Sequence, residues 1–72
     1  MITLKVIITS EDRQPIDTLI AVKSIQDYIE NRVKYKQYAL HKIIISKGWR
    51  YSDLTKYGYN KISVKYHDKQ IY

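Results

Sequence analysis

The sequence predicts an α+β fold: one long helix packed on a three- or four-stranded, mostly antiparallel sheet, in the order β-α-β-β-β. Three observations carry this expectation. Residues 2–8 alternate in polarity with a period of two. Apolar residues then recur at helical spacing through residues 15–37. From residue 40 onward the chain turns rich in Ile and Tyr, punctuated by two glycines. At 72 residues the chain is expected to form a single small domain (residues 1–72) with a small core and marginal stability.

The first element is a strand. Ile2, Leu4, Val6 and Ile8 alternate with Thr3, Lys5, Ile7 and Thr9, and most of these side chains are β-branched. The polar run at residues 10–14 ends it. A helix is predicted over residues 15–37. Pro15 suits a first helical turn, where its missing N–H costs nothing, and Asp17 suits the positive end of the helix dipole. Leu19, Val22, Ile25, Ile29 and Val33 recur at helical spacing, with Lys23, Gln26, Asp27 and Glu30 on the other side. Arg32, Lys34 and Lys36 crowd the end, where cations oppose the negative dipole.

Residues 40–46 have strong β propensity and are predicted as the second strand. Lys47-Gly48 then reads as a two-residue hairpin turn leading into a return strand at residues 49–55. A competing reading makes Ser52 an N-cap and Gly58 the residue after a short helix at residues 53–57; the hairpin is preferred. Residues 60–66 give a last strand, with Ile62, Val64 and Tyr66 alternating against Lys61, Ser63 and Lys65. The expected core is Leu4, Val6, Ile8, Leu19, Val22, Ile25, Ile29, Ile43, Ile45, Ile62 and Val64.

One helix covers only one side of such a sheet. In the hairpin register Ile44 faces Tyr51 and Lys42 faces Asp53. The uncovered side then shows Lys5, Ile7, Lys42, Ile44, Trp49, Tyr51, Lys61 and Lys65. The charge distribution gives this face its meaning. Residues 1–33 carry a net charge of −1, whereas residues 34–72 carry +7, with nine Lys/Arg against Asp53 and Asp68 alone. The same half holds Trp49 and seven of the eight tyrosines. Cations interleaved with flat aromatics suit nucleic acid. The expected function is therefore that of a small basic, non-enzymatic nucleic-acid-binding accessory protein. The expected binding residues are Lys42, Trp49, Arg50, Tyr51, Lys61 and Lys65. The lysines would meet phosphates, and Trp49 and Tyr51 would stack on bases. The alternative is a small interaction protein that docks on an acidic protein surface, since Trp, Tyr and Arg also dominate protein interfaces. A homodimer stays open as a way for so small a chain to gain burial.

Other classes find little support. His41 and His67 are the only histidines and there is no cysteine, so no metal or other cofactor is expected. No nucleophile-elbow, phosphate-loop or paired-carboxylate motif is present. A small ribonuclease built from Arg50, Tyr51, Tyr66 and His67 is a minor alternative. The run Lys56-Tyr57-Gly58-Tyr59 does not complete the aromatic signature of ribonucleoprotein RNA-binding sheets, because Asn60 and Ile62 stand where aromatics are required. The longest apolar run spans four residues, far short of a membrane span, and no basic-then-apolar leader opens the chain, so a soluble, cytoplasmic protein is expected, with no membrane partner. Twelve Ile, ten Lys and eight Tyr against two Ala, two Gly and one Pro suggest an AT-rich genome, such as that of a low-GC bacterium, a phage or another mobile element.

Overall fold

The computed structural model describes residues 1–71. It shows an α+β fold in which helices pack on one face of a four-stranded antiparallel sheet. The chain runs β1 (Ile2–Ser10), β2 (Ile16–Val22), α1 (Ile25–Glu30), α2 (Arg32–Lys47), α3 (Tyr51–Lys56), β3 (Tyr59–Tyr66) and β4 (Lys69–Gln70). The sheet order is β2-β1-β3-β4. The predicted fold class and the strands at both ends of the chain are observed. The element order differs, because the middle of the chain divides otherwise than its spacing suggests.

Residues 16–22 form a strand, not the first half of a helix. Ile16, Thr18, Ile20 and Val22 face inward with a period of two, and β2 pairs with β1 from Ile8↔Ile16 to Ile2↔Val22. The segment satisfies both periodicities, and pairing with β1 decides between them. Leu19 then falls on the outward face and is 54% exposed, although the helical reading placed it in the core. Helix begins only at Ser24, whose Oγ accepts the Asp27 N–H at 3.0 Å in an N-cap. It breaks once at Asn31 and continues as α2 to Lys47.

Residues 40–46 are thus helical, not a strand. Ile43 and Ile44 are buried, whereas Ile45, expected in the core, is 65% exposed. Gly48, at φ 70°, ends the helix. Its N–H donates to Ile45 O at 3.2 Å and the Trp49 N–H to Ile44 O at 2.9 Å, the paired bonds of a Schellman motif. A tight hairpin turn and a helix C-terminus both need a left-handed residue, so Gly48 alone does not distinguish them. The expected strand at residues 49–55 is instead the short α3. The Arg50 N–H donates to the Asp53 carboxylate at 2.9 Å and the Asp53 N–H to Arg50 O at 3.0 Å. Gly58, at φ 78°, reverses the chain into β3, and Ser10 Oγ pins the turn by donating to Tyr57 O at 2.9 Å.

The core has two parts. One gathers Leu4, Val6, Ile20, Val22, Tyr28, Ala39 and Val64; the other gathers Ile8, Ile43, Ile44 and Leu54, with Trp49, Tyr59 and Ile62 packed against it. In a chain without Phe, Tyr28 fills the place of a large aromatic at 0% exposure. Its hydroxyl finds no partner among the described residues, and burial raises its pKa, opposed by the charge of Arg32. Ile25, Ile29 and Ile62 are half-buried at the margin.

Candidate nucleic-acid interface

Backbone direction fixes which side chains share the uncovered face. Lys42 Nζ, at the flank of α2, donates to Leu19 O at 2.5 Å, so that carbonyl points to the free edge of β2. The Ile71 N–H donates to Val64 O at 2.9 Å, so that carbonyl points toward β4. Both observations make Lys5–Lys65, Ile7–Ser63 and Thr9–Lys61 the hydrogen-bonded pairs between β1 and β3. Their side chains point away from Leu4, Val6, Ile8 and Val64, which are buried beneath the helices. The uncovered face therefore presents Lys5, Lys61 and Lys65 around Ile7, Thr9 and Ser63, with Leu19 across from Lys5 on β2.

The electrostatics of this face are lopsided. Lys5 and Lys65 stand directly opposite each other, with Cα atoms about 5.5 Å apart for a pair of this type. Like charges so placed destabilise a sheet by a few tenths of a kcal/mol or more. Lys61 lies four residues along the same strand from Lys65, about 13 Å away at ~3.3 Å per residue. None of the three side chains makes a hydrogen bond or ion pair among the described residues. Asp17, at the far edge on β2, is the carboxylate that shares the face.

The other predicted site residues lie elsewhere, because the hairpin that would have aligned them is a helical segment. Lys42 is half-buried on α2, bonded to the edge of β2. Arg50 is the N-cap of α3, and Tyr51 is its first residue, 50% exposed. Trp49 sits in the Schellman turn on the helix side of the sheet, its ring 4.9 Å from that of Tyr57 and 6.0 Å from that of Tyr59. The Arg13 guanidinium covers Tyr57 at 3.9 Å, and the Tyr59 hydroxyl donates to Gln14 O at 2.9 Å. Trp49 is thus clasped by neighbouring rings, and the uncovered face carries no aromatic among the described residues. Tyr72 lies outside them.

Lys5 belongs to the basic face beside the expected binding residues Lys61 and Lys65, and its alternation with Leu4 and Val6 is the sequence signal for that position. Two of the predicted residues do meet: Tyr51 and Lys61 line one groove of about 430 Å³ between α2, α3 and β3. Arg50 and Tyr51, by contrast, do not approach Tyr66 and His67. Those lie at the far end of β3, roughly 20 Å of strand away. Among the described residues no three His, Cys, Asp or Glu side chains gather as a metal site would require, and no helix is long and apolar enough to cross a membrane.

Perturbed carboxylate chemistry occurs away from this face. The Tyr35 hydroxyl donates to Asp27 Oδ2 at 2.5 Å and holds that carboxyl below its ordinary value of 3.8; the same bond raises Tyr35. This pair ties α1 to α2. No family model, curated protein or solved structure matches the chain.

Proposed function

We propose that this protein binds nucleic acid through the uncovered face of its sheet, as a non-enzymatic accessory protein encoded by an AT-rich genome such as that of a phage or mobile element. The observation that carries the reading is the Lys5–Lys65 pair, two cations held opposite each other with no carboxylate between them. A like-charged pair costs stability, and an anion laid across it removes that cost. Lys61 extends the track along β3. Lysines on a sheet face meet phosphates as point charges, so the face favours binding without base readout.

Salt dependence tests the proposal. Three phosphate contacts contribute a slope of about −2 to −3 in log affinity against log salt. Replacing Lys5, Lys61 and Lys65 together with Gln removes that share while leaving the fold, since all three side chains point away from the core. The measurement is fluorescence anisotropy of labelled single- and double-stranded oligonucleotides over a salt series. A slope unchanged in the triple variant refutes the face, and no binding to any oligonucleotide at low salt turns the reading to docking on an acidic protein surface.

A further inference from the structure

We infer that the groove between α2, α3 and β3 seats an unpaired nucleobase, which makes the preferred partner a single strand; this rests on the nucleic-acid reading above. Three observations converge on the groove. Its volume of about 430 Å³ falls within the range of small-ligand sites and leaves room for one base. Its lining is largely apolar, with Ile8, Leu40, Leu54 and Ile62, and Tyr51 and Tyr59 line it as well. The Tyr59 ring is anchored through its bond to Gln14 O and its contact with Trp49, whereas Tyr51 is half exposed and free to lie against a ligand. Asn60 also lines the groove, and its amide is able both to donate to and accept from a base edge.

Lys61 joins the groove to the lysine track. It lines the groove and also stands on the uncovered face four residues from Lys65. A phosphate at Lys61 therefore has a base-sized apolar slot beside it and two further cations beyond it. A paired base cannot leave its stack without an unpairing cost, whereas a single strand offers its bases freely. The sheet face supplies charge without rings, and the groove supplies rings beside a charge.

The test uses the full chain, labelled oligothymidylate and a labelled duplex at low salt, with three variants. Tyr51→Ala removes the exposed ring, and Thr55→Trp fills the groove from the exposed side of α3. Circular dichroism confirms that each remains folded. Both changes are expected to weaken single-strand binding by about 5- to 150-fold, the range for losing one stacked base, and to leave duplex binding unchanged. The Lys5/Lys61/Lys65→Gln variant is expected to weaken both. Equal single-strand affinity in the wild type and both groove variants, with the lysine variant still impaired, overturns the groove and leaves the basic face standing. Failure of the wild type to bind either probe overturns both, and leaves the groove to an apolar side chain of an acidic protein partner.

Discussion

Replacing Trp49 with Ala removes a ring that contacts Tyr57 at 4.9 Å and Tyr59 at 6.0 Å and packs on the Ile8–Ile43–Ile44–Leu54 cluster. Removing a core Phe or Trp costs about 3–5 kcal/mol. Trp49 is half-buried, which lowers the area contribution, while each ring pair adds about 0.5–1.5 kcal/mol beyond its area. The expected loss is therefore about 2–4 kcal/mol, a large share of the ~5–15 kcal/mol that folded domains possess. At roughly 4–8 °C per kcal/mol, the melting temperature should fall by at least about 8 °C. Thermal unfolding followed by far-ultraviolet circular dichroism reads this directly, since the variant has no tryptophan to monitor. Trp49→Phe should recover most of the loss, because a ring still occupies the turn. Oligonucleotide affinity, measured below the lowered transition, should change little. A shift of only a few degrees together with a clear loss of affinity would refute the reasoning, and would return Trp49 to the role of a stacking residue.

Two further consequences are open to simple measurement. Because the Tyr35 hydroxyl lowers the Asp27 pKa, the stability from that bond is present above 3.8 and is lost as pH falls through the depressed folded value. The raised Tyr35 pKa means that the bond's contribution is also lost as pH rises past 10.0. The gap in melting temperature between wild type and Tyr35→Phe should thus be widest at neutral pH and close in strong acid; a gap constant across that range would exclude the linkage. The β3–β4 turn places His67 at φ 50° and Asp68 at φ 64°, a left-handed pair that side chains tolerate poorly. His67→Asn with Asp68→Gly should stabilise the chain by about 1 kcal/mol, read as a rise in denaturant midpoint, and no rise would mean that the ring contact between Tyr66 and His67 at 4.1 Å offsets the strain.

The sequence by itself determined the elements whose periodicity admits one reading. The alternations of Leu4, Val6 and Ile8 and of Ile62 and Val64 belong to strands alone, and both strands lie at the centre of the sheet. They also place Lys5, Lys61 and Lys65 on the side opposite the core, so the basic track was legible as a set of alternating positions. The middle of the chain was not legible, because its local signals serve two structures equally. Residues 16–22 satisfy a period of two and a period near 3.6, and only the seven-residue register with β1 decides for the strand. Residues 40–46 are rich in β-branched side chains, yet burial of Ala39, Ile43 and Ile44 against the sheet outweighs a propensity difference of a few tenths of a kcal/mol per residue. Gly48 marks a left-handed residue without saying whether a helix or a strand precedes it. The charges and rings of the C-terminal half could be counted from the sequence, but that turn decided their separation. It carries Trp49 and Arg50 to the helix side and leaves the lysines of β3 on the open face, so only tertiary packing could show that Tyr51 and Lys61 share a groove.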